Sequence, residues 1–229
     1  MSWESISSDP GLQAIIALCF FFLLAIAWGG IHNRRRAQRL LETLGPVLST
    51  LGQQTHVTWK GSAGFSAEVE TPGAPFRKLT LTTHLLPRER LPVLWAFLWL
   101  LGRRDVLRIT GTLRSSPRAQ VRLGSRRRTA GAEEGWHPLD TPRSPSASLK
   151  GGNAAKVSAA LRPLVGPSAA RLQRLSLGAT APHLQAEVAT AGLDQERLTA
   201  LFTGLTELCR AAQTRASTPA HQDEDKAHP

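Results

Sequence analysis

The chain has 229 residues, of which 41% are hydrophobic and 20% charged, and its formal net charge is +11. Behind an apolar N-terminal run about 195 residues remain, enough for one or two small domains with cores of their own. The two cysteines, Cys19 and Cys209, lie too far apart in context to pair, which excludes a disulfide-stapled framework and fits a reducing compartment.

From Gly11 to Ile31 the chain carries 21 residues without a charge. At about 1.5 Å per residue a helix of that length spans roughly 31 Å, the thickness of a bilayer's hydrocarbon core. In lipid only a helix satisfies the backbone of a single such segment. A cleaved signal peptide would begin with basic residues, whereas the first ten positions carry Glu4 and Asp9 and no Lys or Arg, although Ala25-Ile26-Ala27 mimics a cleavage site. Arg34, Arg35, Arg36 and Arg39 follow at once and belong on the cytoplasmic side. A buried core helix would seldom be apolar on every face over such a length. The expectation is an uncleaved anchor: a short extracytoplasmic N-terminus over 1–10, a transmembrane helix over 11–31, and the rest cytoplasmic. Ala25 and Gly29, four apart, would let a second copy of the helix approach closely, so a homodimer through the span is one expected association.

Positive charge gathers just behind this run. Arg34 to Arg128 holds 18 Lys or Arg against 5 Asp or Glu, while the first 33 residues sum to −2 and the last 101 to zero. Within 32–54, Leu40, Leu41, Leu44, Val47, Leu48 and Leu51 recur at helical spacings, which predicts a juxtamembrane helix that Gly45-Pro46 would kink. Residues 55–123 read as a basic β-rich domain. Thr55 to Lys60 and Gly64 to Glu70 have strand character, Phe65, Ala67 and Val69 alternating with polar residues and Gly61-Ser62 making the turn. After the breaker Thr71-Pro72-Gly73-Ala74-Pro75, Phe76 to His84 alternates Leu79, Leu81 and Thr83 with Lys78, Thr80 and Thr82, so the three strands suit a meander.

Leu91 to Leu101 is apolar throughout, with Arg88 and Arg90 before it and Arg103 and Arg104 after it. Its eleven residues make roughly 16 Å of helix, too short to cross a bilayer, and Pro92 suits a first turn. One reading is a core helix covering one face of the sheet. The other is that a sheet covers one side only, leaving Trp95 and Trp99, one turn apart, to meet lipid, a second chain or a neighbouring domain. Val106 to Leu113 and Arg118 to Leu123 complete the domain as strands joined by a turn at Ser115-Ser116-Pro117.

Residues 124–152, rich in Gly, Pro, Ser and charge, read as a linker. A helix capped by Asn153 and ended by Gly166-Pro167 follows, then strands over Leu172 to Leu177 and Leu184 to Ala189. Asp194 caps a last helix whose stripe is Leu198, Leu201, Phe202, Leu205, Leu208 and Cys209. These make a helix-strand-strand-helix module over 153–213, and the polar tail 214–229 reads as disordered. The expected fold class is α+β: one transmembrane helix, then a cytoplasmic region of antiparallel strands with a hydrophobic helix, then that module.

This order of elements resembles the calumin family. The likeness is carried by Arg36-Ala37-Gln38, by Leu79-Thr80-Leu81 through Arg88-Glu89-Arg90-Leu91-Pro92-Val93-Leu94, and by Val106-Leu107-Arg108-Ile109-Thr110, while Leu193 to Ala211 is similar to the family's final cytosolic helix. Calumin is a single-pass endoplasmic-reticulum protein of the complex that shelters nascent multipass membrane proteins beside the translocon. The resemblance implies a role in membrane-protein biogenesis. It does not extend to the family's long acidic segment before the anchor or to its long basic coiled coil, the part that would contact a ribosome.

No reaction is legible. His32, His56, His84, His137, His183, His221 and His228 show no His-x-x-x-His spacing and no Cys-x-x-Cys occurs, so no metal site is expected. Gly61-Ser62-Ala63-Gly64 is not a nucleophile elbow, and no phosphate-binding or dinucleotide glycine pattern occurs. Glu68 and Glu70 share a strand face, where solvent exposure is expected rather than acid–base catalysis. No catalytic residue and no cofactor is assigned, and the chain is expected not to be an enzyme. The candidate contact residues are Arg34, Arg35, Arg36, Arg39, Arg103, Arg104, Arg126, Arg127 and Arg128 with Trp95 and Trp99. Near a membrane such cations gain about 1 kcal/mol each from anionic lipid, while phosphate backbones attract them through counterion release. The expected partners are the bilayer, its anionic headgroups and a membrane protein. RNA, ribosomal RNA included, is the alternative, although RNA readers interleave aromatics with their cations and here the aromatics sit in the hydrophobic helix. An enzyme with an unfamiliar site is the second alternative.

Overall fold

The computed structural model describes residues 10–88, 97, 100–124, 135–139, 146–166 and 170–214. It begins with one 42-residue helix, α1 (Pro10–Leu51), long and apolar enough near its start to cross a membrane. The two halves of α1 differ. Large apolar side chains up to Trp28 are mostly exposed, Trp28 by 74%. From there Gly29, Asn33, Ala37, Leu40, Leu44, Val47 and Leu48 are buried at three- and four-residue steps. The domain therefore grips the helix from inside the last turns of the apolar run. Pro46 does not end α1, because it sits on the exposed side while Val47 and Leu48 beside it are buried. Burying two aliphatic side chains contributes about 3–6 kcal/mol, which offsets the roughly 3 kcal/mol cost of an internal proline.

Gly52 follows α1 with no intervening loop, and a Cβ there would lie 2.4 Å from Val69 Cγ1 and 3.0 Å from Glu70 O. Only glycine lets the chain leave the helix this close to its neighbour. Strands β1 (Gly52–Trp59), β2 (Phe65–Pro72), β3 (Phe76–His84) and β4 (Val106–Leu113) pair successively and antiparallel, with a 3₁₀ turn at Gly61–Ala63. Then come β5 (Gln120–Gly124), β6 (His137–Leu139), β7 (Ser146–Lys150), α2 (Ala154–Val165), β8 (Leu172–Leu177), β9 (Leu184–Ala189) and α3 (Gln195–Gln213). Among the described residues the strands form one antiparallel sheet in the order β1-β2-β3-β4-β9-β8-β5-β7-β6.

That order differs from the local reading in two places. The turn near Ser115 does not fold β5 onto β4, because β9 takes that edge of β4 and β8 pairs with β5. The cause is the end of α3: Arg118 N–H and Ala119 N–H both donate to Ala212 O, at 2.9 and 3.1 Å, and Gln213 Nε2 donates to Ser115 O at 3.0 Å. The chain is led across the helix terminus instead of turning back. Residues 124–152, expected as a linker, contain β6 and β7, and β7 pairs with β5 from Gln120↔Lys150 to Gly124↔Ser146. Strands from both sides of that stretch thus share one sheet.

Asn153 and Asp194 cap α2 and α3 where the sequence places them, accepting from Lys156 N–H at 3.2 Å and Arg197 N–H at 2.8 Å. Alternate strand residues are buried with the three helices in one continuous core that includes Leu44, Phe65, Leu81, Ile109, Leu175 and Leu205. The other strand face is polar, and there Lys78 pairs with Glu68, His56 with Glu70 and Arg108 with Glu187. Cys209 is fully buried on α3, and burial pushes its thiol pKa up to about 12. In a Cys19→Ser protein, Cys209 is expected to resist alkylation until urea unfolds the chain. Modification at the same rate without urea would show that the α3 stripe opens.

Candidate functional site

Where α1 leaves its apolar run, four pieces of chain meet around buried polar side chains. Asn33, completely buried, donates from Nδ2 to Leu86 O at 2.8 Å and accepts from Arg88 Nη1 at 2.7 Å. Asp105, just before β4, is 5% exposed. Its Oδ1 accepts Leu86 N–H at 2.8 Å, and its Oδ2 receives Arg88 Nη2 at 3.0 Å and Arg36 Nη1 at 2.9 Å. Its main-chain oxygen accepts Thr190 N–H at 3.0 Å, which ties the cluster to the end of β9. Two guanidiniums therefore share one carboxylate, and the local charge stays positive.

His32 feels that surplus. Partial burial first, then the Arg88, Arg36 and Arg39 guanidiniums, lower its pKa below 6.5, with Asp105 opposing. The unfolded chain takes up the proton first, so this contribution to stability is complete above about pH 6.5 and declines as pH falls through that value toward the lower folded pKa. In detergent, wild type is expected to lose stability more steeply than His32→Gln between about pH 7.5 and about pH 5. Parallel profiles would assign the acid loss to other groups.

The hairpin between β1 and β2 reaches the same level. From Asn33 to Leu51 the helix rises about 27 Å, and β1 returns about 24 Å antiparallel to it. Trp59, Gly61 and Ser62 consequently face Gly30, Ile31 and Arg34 across an open notch. Gly64 closes the turn at φ +131°, where a Cβ would meet Thr83 Oγ1 at 2.0 Å. That hydroxyl instead accepts Phe65 N–H at 2.7 Å and donates to Phe65 O at 3.1 Å. Trp59 packs edge-on against Phe65, ring centroids 5.9 Å apart, yet remains 44% exposed. Phe97, Leu100 and Leu101, from the apolar segment just before Asp105, are 55%, 78% and 61% exposed. Exposed Trp59 thus shares a notch with Arg34, and exposed Phe97, Leu100 and Leu101 closely precede exposed Arg103 and Arg104 in the chain.

The expected contact residues fall into three groups. Arg34, Arg35 and Arg39 are exposed on α1, and Arg103 and Arg104, also exposed, are carried to the level of Arg36 by the Asp105 ion pair. Arg36 is half-buried in that ion pair and serves structure first. Trp95, Trp99, Arg126, Arg127 and Arg128 lie outside the described residues. Local patterns missed Asn33, Arg88, Asp105 and Trp59. The first had a signal: stepping back by three or four from Leu48, Leu44 and Leu40 lands on Ala37, Asn33 and Gly29. Among the described residues no three His, Cys, Asp or Glu side chains gather as metal ligands. A comparison with protein-family models finds no match, and neither does a comparison with curated proteins.

Proposed function

We propose that this chain is a membrane-anchored, non-enzymatic interaction module whose α+β domain works on the cytoplasmic surface of the bilayer, in the biogenesis of membrane proteins. The observation that carries the reading is the unbroken α1. Its exposed apolar half suits lipid, and its buried half holds the base of the domain at the height where headgroups would begin. The basic flank supports a cytoplasmic domain, since Arg-rich segments beside a span are retained on that side. Exposed apolar residues next to arginines suit an interface that touches both lipid and an apolar partner. The resemblance to the calumin family points the partner toward nascent membrane proteins.

A reporter active only outside the cytoplasm, fused after Ala216, is expected to be silent on the unmodified chain. Neutralising Arg34, Arg35, Arg36 and Arg39 together is expected to weaken that bias. An active reporter on the unmodified chain would reverse the topology. Affinity purification in detergent, with co-purifying proteins and RNA identified, then separates a membrane-protein partner from a ribosomal one.

A further inference from the structure

Between α1 and the β1–β2 hairpin lies an open notch of about 530 Å³ lined by Gly30, Ile31, Arg34, Trp59, Gly61 and Ser62. We propose that it binds the phosphate headgroup of one anionic membrane phospholipid, with the glycerol and upper acyl chains along Ile31 and Trp59. This site presupposes the anchored reading above and adds one lipid at a defined place.

The lining changes character along the helix. Ile31 is the last residue of the apolar run and Arg34 the first arginine after it. A molecule filling the notch must therefore be apolar at one end and anionic at the other, which a soluble phosphate is not. Among the described residues Arg34 has no hydrogen-bond or ion-pair partner, whereas Arg36 and Arg88 are tied to Asp105. Its planar guanidinium is thus available for paired hydrogen bonds to phosphate oxygens. The Ser62 hydroxyl, likewise without a partner among the described residues, adds a donor from the opposite wall. Space comes from Gly30 and Gly61, and a Cβ on the latter would meet nothing within 4 Å. The half-exposed Trp59 presents the amphipathic ring that favours the headgroup level. Exposed Lys60 beside it adds positive potential.

The full chain is reconstituted in nanodiscs of phosphatidylcholine with a minor share of phosphatidylglycerol, transferred to detergent and weighed by native mass spectrometry. One phosphatidylglycerol per chain is expected to stay bound. Arg34→Gln is expected to weaken retention about fivefold, equivalent to about 1 kcal/mol. Ser62→Leu, which fills the notch without changing charge, should weaken it at least as much. Arg77→Gln removes the same charge from an exposed position at the end of β3 away from the hairpin and should stay within about twofold of wild type. Equal losses in Arg34→Gln and Arg77→Gln, or none in Arg34→Gln and Ser62→Leu, would overturn the site. Equal retention of phosphatidylcholine, or displacement by soluble glycerol phosphate, would overturn the anionic-lipid assignment. Release of the chain from membranes by alkaline carbonate without detergent would overturn the anchored reading and the site with it.

Discussion

Asp105→Ala is expected to cost about 3–5 kcal/mol of stability, the penalty for leaving a buried charge without its partner. One substitution removes the acceptor of Leu86 N–H and the shared carboxylate of Arg36 and Arg88. The Arg88 side chain, 13% exposed, would keep its charge in a site that water barely reaches. Asp105→Asn retains an acceptor for Leu86 but no charge, so its loss should be intermediate. Urea unfolding in detergent followed by circular dichroism measures both. A change below about 1 kcal/mol in Asp105→Ala would mean that solvent replaces the carboxylate and that α1 is not locked there.

The second large effect concerns the far end of the same helix. Leu44 is fully buried, on the part of α1 that packs against β1, β2 and α3. Leu44→Ala is expected to cost about 2–5 kcal/mol, the span for emptying an aliphatic core site. Phe21→Ala on the same helix removes a larger side chain that is 61% exposed, and should move domain stability by less than about 0.5 kcal/mol. Similar losses in the two variants would contradict the division of α1 into an exposed and a gripped half.

Much of this molecule is legible wherever a rule acts over a few residues. The apolar run, the Leu40–Leu51 stripe, the Asn153 and Asp194 caps and the alternation in β2, β3 and β4 all appear in the sequence and in the structure. Sheet order is not a local property. Nothing in Arg118 or Ala119 announces that their N–H groups will meet Ala212 O, so the strand next to β4 cannot be read from the turn that follows it. β7 hides for another reason: only Ala147 and Leu149 mark its buried side, among Ser, Pro and Lys. The base depends on lengths rather than motifs. Trp59 comes to the level of Ile31 and Arg34 because helix and strand rise and return by nearly equal distances. Arg36 leaves the surface set because helical phase turns it toward Asp105 while Arg34 and Arg35 point away.

On the anchored reading no joint separates the span from the sheet, since α1 runs unbroken from Pro10 to Leu51 and its buried stripe is fixed to the domain. The domain must then copy every reorientation of the span. An apolar segment of about 31 Å fits a hydrocarbon layer of about 27 Å by leaning roughly 30°. The sheet would lean with it, pressing one edge toward the headgroups and lifting the other. Such a molecule is an inclinometer: it converts the local thickness of its membrane into the angle at which its polar sheet face is presented.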